Sequence, residues 1–182
     1  MSTYAEFRAV KPAAVENGLK EIVVFRDAIA VPDDVYAYGR EAGNSFCARR
    51  YIATITLASA MVEIILNKDS RMARLPVDWW NLNRKLLKKG RKNGLPIDRL
   101  LSEGESLQGK KEIEFVDLRN RLAHGNLRDL MGFEHTGTTD YSGKARKVAL
   151  DHLRKSDEFL VEWYNTSPDV QEGRIMHGRW PT

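Results

Sequence analysis

The segment Asp117-Leu118-Arg119-Asn120-Arg121-Leu122-Ala123-His124-Gly125 brings a guanidinium, a carboxamide and an imidazole close together along the chain. A guanidinium grips anionic oxygens through forked N–H donors and can stabilise charge that develops on them. Imidazole changes protonation around neutral pH, which suits it to moving protons. Arg119, Asn120 and His124 could therefore act on a charged oxyacid group.

The element expected to carry these residues is a helix over 110–124. Phe115, Leu118 and Leu122 fall on one stripe with Ile113, Val116 and Ala123 nearby, as helical periodicity requires of a face turned to a core. Gly125 follows at once and suits the left-handed residue that closes a helix, so His124 is expected at the carboxyl end. Asn120 and His124, four apart, share a face. Arg119 and His124, five apart, diverge by about 140° on an ideal helix, which makes one copy alone an awkward cleft.

Arg119-Asn120 followed by His124 resembles the Arg-polar-x-x-x-His motif of the HEPN (higher eukaryotes and prokaryotes nucleotide-binding) superfamily, and the similarity of plan spans roughly residues 34–165. Arg128 with His135 and Arg146 with His152 meet a looser form of the spacing. The first pair runs through Gly132 into turn-rich sequence, and Arg146 is followed by Lys147, whereas Arg119 to His124 lies on a patterned helix. The resemblance implies an antiparallel bundle of four to five helices. It also implies metal-independent endoribonuclease chemistry of the toxin or phage-defence kind, with no cofactor. A 2′-hydroxyl would attack its neighbouring phosphate, His124 moving the proton, Arg119 stabilising the phosphoryl oxygens and Asn120 orienting one of them. Related proteins pair two subunits so that both motifs line one groove, which points to RNA as substrate, a homodimer and an antitoxin protein as a further partner. The alternative is a HEPN-like module without turnover that binds RNA, a nucleotide or a protein.

The remaining elements predict an all-α fold. Residues 1–33 read as an N-terminal extension, where Ile22–Phe25 and Ala28–Val31 could form a small hairpin. Asp33 or Asp34 is expected to cap a helix running to about Glu41 and ended by Gly43 and Asn44. A second helix is predicted from Ser45 to about Asn67, apolar around most of its circumference and so needing cover from more than one side. Pro76, Trp79 and Trp80 open a third, with Leu82, Leu86 and Leu87 at helical spacing, weakened by Gly90 and Gly94 and stopped by Pro96. Residues 102–109 read as a loop and 128–143 as a turn-rich insertion. A last helix is predicted over 144–164, followed by a polar tail, 166–182, of poor order.

Other residues bear on a site. Glu63 is the only charge between Tyr51 and Leu66; buried alone it would be costly, so it is expected to form a structural ion pair supporting the site rather than to act directly in it, and a pair with Arg119 belongs to the reading in which this helix end is structural and not catalytic. Arg84, Lys85, Lys88 and Lys89, with Arg121, could hold RNA phosphates, and Trp79 and Trp80 could stack bases, although such a run is commonly a solvated face. His135, His152 and His177 read as ordinary surface or core residues, and Cys47 as buried packing.

Composition sets outer limits. The net charge of +4 and pI of about 9.2 permit an anionic partner without requiring one. One cysteine allows no internal disulfide, and four histidines without ligand spacing give no metal site. The first twelve residues lack a signal-peptide pattern, and the apolar run 51–66 is shorter than the roughly 20 residues of a membrane span. A cytoplasmic location without membrane attachment is the expectation.

Overall fold

The computed structural model describes residues 31–72, 75, 81–109, 111–125, 141–175 and 178–181. The hairpin expected near residues 22–31, apart from Val31, lies outside the described residues, as do Trp79, Trp80, Arg128, His135 and His177. Among the described residues the protein is helical and contains no β-strand. Its α-helices are α1 (Asp33–Cys47), α2 (Tyr51–Lys68), α3 (Arg84–Lys92), α4 (Glu114–Ala123), α5 (Tyr141–Thr166) and the short α6 (Pro168–Gln171). Single 3₁₀ turns occupy Ser70–Met72 and Ile97–Leu100.

α1 and α2 form a hairpin, but its break is not at Gly43. Gly43 lies buried inside α1, which continues to Cys47. The chain reverses at Ala48–Arg50, where Arg49 adopts φ +59° and the amides of residues 48, 49 and 50 bond the carbonyls of Asn44, Phe46 and Ser45. Packing against α2 favours continuing α1 through Gly43, and the left-handed turn that ends it falls on an arginine instead. Asp33 and Asp34 lie in the first turn rather than at the cap, which is Pro32. Asp34 accepts the Val35 amide at 2.8 Å and pairs with Lys68 of α2 at 2.7 Å.

α2 is the central element. Ile55, Ala58, Met61, Val62, Ile65 and Leu66 are buried against the other helices. It is long and apolar enough to span a membrane by composition, but 50% of that window is buried within the fold, as in a core helix. Ile52, Ala53, Leu57, Ala60 and Ile64 keep partial exposure and Thr56 is exposed, so one stripe of this helix is left without full cover.

α3 is N-capped by Asn83, whose side-chain oxygen accepts the Leu86 amide at 3.0 Å, a cap worth about 1 kcal/mol. Leu86 and Leu87 are its inward face. α5 starts at Tyr141, earlier than the turn-like composition through Gly143 suggests. It runs the length of the core with Ala145, Ala149, His152, Leu153, Ser156, Phe159, Leu160 and Trp163 inward.

The tail differs most from expectation. Val170 and Ile175 are buried, and the Trp180 ring lies 5.8 Å from that of Trp163 while its Nε1 donates to Asp34 at 3.0 Å. The Gly178 carbonyl accepts the Asp33 amide at 2.7 Å. Gly178 has φ +71°, and a β-carbon there would collide with the Asp33 carboxylate, so this closure requires glycine. Aromatic area and a few well-placed hydrogen bonds hold a segment whose average composition is polar.

Candidate functional site

α4 is placed from both ends. Before it, Glu105 reaches from the 102–109 loop, its two oxygens accepting the amides of Ser102 and Glu114, each at 2.7 Å. This carboxylate occupies the positive end of the helix, where anions are favoured. Phe115, Val116 and Leu118 are buried, and Leu122 packs at the edge of the cluster formed with Phe46, Tyr51 and Ile55. At the other end His124 is the C-cap, its amide bonded to the Asn120 carbonyl at 3.0 Å, and Gly125 has the positive φ, +72°, expected of the closing residue.

From this helix Arg119 turns toward α2. Its Nη2 donates to Glu63 Oε2 at 3.0 Å and its Nη1 to Asn120 Oδ1 at 3.1 Å. The same Glu63 oxygen accepts the Leu82 amide at 2.9 Å. The charge isolated on α2 is therefore joined both to Arg119 and to the segment leading into α3. The side chains of Arg119 and Glu63 are 25% and 21% exposed, so the pair faces the surface rather than the interior. Among the described residues, the Arg119 Nε–H and the second proton on each terminal nitrogen carry no partner. With Asn120 Oδ1 turned to Arg119, the Asn120 amide nitrogen faces away with its donors available.

Arg119, Asn120 and Glu63 thus form one hydrogen-bonded set. His124 lies outside it on the final turn, with an exposed side chain that has no side-chain partner among the described residues. A phosphate gripped by the guanidinium and a proton-transfer group reachable from solvent are what the arrangement can provide.

The basic residues divide by role. The Arg84 guanidinium bonds the carbonyls of Lys111, Leu107 (2.8 Å) and Ser106 (3.3 Å), tying the loop before α4 to the start of α3. Arg121 pairs with Asp117 at 2.8 Å. Lys85 and Lys88 are exposed and Lys89 is half-buried. Lys85, Lys88 and the exposed Lys92 share a helical edge. Cys47 is a free thiol at intermediate exposure. Among the described residues no group of three or more His, Cys, Asp and Glu side chains is gathered to hold a metal ion.

Two buried polar clusters lie apart from this set, and His152, read from the sequence as an ordinary surface or core residue, is in the core. His152 is 2% exposed, its Nε2 lies 2.7 Å from Ser59 Oγ on α2, and its ring stacks on Phe115 with centroids 3.8 Å apart. Burial, aided by the Lys155 charge, pushes its pKa down to about 3, so the imidazole is neutral. It also lines a cleft of about 310 Å³ with Glu114, Leu118, Lys147 and Asp151. The signal was its inward register with Ala149, Leu153 and Ser156. The second cluster is Asp69, buried at 1% exposure. It receives Arg71 Nε at 2.8 Å, Trp163 Nε1 at 2.7 Å and Ser167 Oγ at 3.2 Å. Burial raises its pKa, but the hydrogen bonds from Arg71 and Trp163 outweigh that and hold the carboxyl below its ordinary value.

Comparison with protein-family models, curated proteins and solved structures finds no match to this chain.

Proposed function

We propose that this protein is a homodimeric, metal-independent endoribonuclease of the HEPN kind, acting in a toxin or phage-defence role. The observation that carries the reading is the Arg119 guanidinium, steadied by Glu63 and Asn120 yet retaining free donors, on the same helix end as an exposed His124. In the reaction the RNA 2′-oxygen bonds to the adjacent phosphorus and gives its proton to His124. The bond from phosphorus to the 5′-oxygen breaks, that oxygen takes a proton from water, and His124 returns the proton it accepted to solvent. The products are a 2′,3′-cyclic phosphate and a 5′-hydroxyl end. Arg119 offsets the charge on the phosphoryl oxygens and the Asn120 amide orients one of them.

The angular separation of Arg119 and His124 on one helix favours a paired site, in which the second copy supplies what the first lacks. The incompletely covered stripe of α2, from Ile52 to Ile64, gives such a pairing an apolar surface beside Arg119.

The test is purified protein with single-stranded RNA in excess chelator, with the ends of the products determined. Cleavage to cyclic phosphate is expected, and His124→Ala should lower it by about 10²- to 10⁴-fold with an unchanged unfolding midpoint, since the side chain is exposed. Equal activity in the variant removes the mechanism. A non-catalytic binding module is the second reading, favoured by the Glu63–Arg119 pair, which also joins two helices. RNA binding without products in the unsubstituted protein selects it.

A further inference from the structure

Glu63 Oε2 joins α2, the approach to α3 and α4. It takes the Leu82 amide at 2.9 Å and the Arg119 guanidinium at 3.0 Å. Leu82 is 1% exposed and directly precedes Asn83, the residue that caps α3. Arg84, the first residue of α3, is fixed in turn by the carbonyls of Leu107 and Lys111 just ahead of α4. The start of α3 is therefore tied to α4 in two places, through Glu63 to Arg119 and through Arg84 to the loop ahead of α4. Lys85, Lys88 and Lys92 remain exposed along one edge of α3, with no partners among the described residues.

We propose that Glu63 is a positioning residue that holds Arg119 in register with the Lys85–Lys88–Lys92 edge, so that successive phosphates of one RNA strand meet both. The inference rests on the ribonuclease reading and extends it to the path of the substrate and to the role of an acidic residue beside it. Electrostatics alone gives the opposite expectation. Glu63 is an anion next to the phosphate-binding guanidinium, and deleting it makes the face more cationic, which tightens RNA binding when charge is all that matters. Under positioning, deletion frees the guanidinium, leaves the buried Leu82 amide without its acceptor, and weakens binding.

The experiment measures fluorescence anisotropy of a labelled uridine dodecamer at fixed salt, in a His124→Ala background that prevents turnover. Glu63→Ala is expected to weaken binding by about 10-fold. Glu63→Gln, whose amide oxygen can accept both hydrogen bonds, should recover most of the affinity. With Arg119→Ala already present, Glu63→Ala should add no further loss. Where Glu63→Ala does not fold by circular dichroism, Glu63→Met keeps the side-chain length on an apolar helix and is read the same way. Binding as tight as or tighter than the parent, or an undiminished loss in the Arg119→Ala background, overturns the positioning role. A His124-bearing protein that binds but never cleaves removes the nuclease reading and leaves this one to be decided by anisotropy. No binding by the Glu63-bearing protein overturns both.

Discussion

His152 gives the fold a specific sensitivity to acid. In the folded protein its ring is enclosed between α2, α4 and α5, and burial together with Lys155 lowers its pKa from 6.5 to about 3. The unfolded chain exposes an ordinary imidazole, so between those two values the unfolded state binds the proton that the folded state refuses. Stability from this group is complete above pH 6.5 and declines as the pH falls, down to the folded value. Between pH 7 and pH 5 the loss is close to 1.5 pH units at 1.36 kcal/mol per unit, about 2 kcal/mol. This is a large share of the stability of a domain of this size. Urea unfolding at the two pH values measures it, and His152→Gln isolates it, because the amide can still meet Ser59 Oγ but does not titrate. The variant is expected to be less stable than the parent at pH 7, where it loses the stacking on Phe115, and to lose about 2 kcal/mol less on moving to pH 5. The other histidines and the carboxylates are common to both proteins and cancel in the difference. An equal pH dependence in the two proteins would refute the claim that His152 is buried as a neutral group.

Asp69→Asn should destabilise the protein by about 3 kcal/mol in urea unfolding at neutral pH, because it leaves a mostly buried Arg71 without its counter-charge although Trp163 keeps an acceptor. Arg49→Gly should raise stability by about 1 kcal/mol, since a non-glycine residue at φ +59° carries strain that glycine lacks; an unchanged or lower urea midpoint counts against that strain.

The parts of this fold that were legible in the sequence are those where local pattern and tertiary demand agree. Phe115, Leu118 and Gly125 mark the inward face and the stop of α4 because helical period and left-handed closure are local physics, and the structure keeps both. Glu63 could be read as needing a partner because an uncompensated charge on an apolar helix is costly whatever surrounds it. Arg119 could be named as one candidate partner, but that Leu82 shares the same oxygen depends on how three separated segments meet, which no local pattern contains. Gly43 misleads for a related reason. Its helix-breaking tendency is about 1 kcal/mol, less than the packing of α1 on α2 supplies, so the helix runs through it to Cys47 and the left-handed turn falls at Arg49.

The same contrast governs the polar residues. Arg84, Lys85, Lys88 and Lys89 look alike as a run of charge, yet the structure commits Arg84 to three carbonyls and leaves Lys85 and Lys88 in solvent. A guanidinium can satisfy several carbonyls at once from a fixed plane, whereas an ammonium is a compact, strongly hydrated charge. The arginine at the start of the helix is therefore suited to fastening the loop ahead of α4, and the lysines to remaining hydrated on the surface. His152 and His124 differ by the same logic of surroundings. One lies in the inward register of α5 and is neutral and hydrogen-bonded to Ser59. The other is the C-cap that follows the last helical residue of α4, and its side chain is exposed. Their difference in burial, more than the spacing of any motif, is why the proposed proton-transfer role is given to His124 and not to His152.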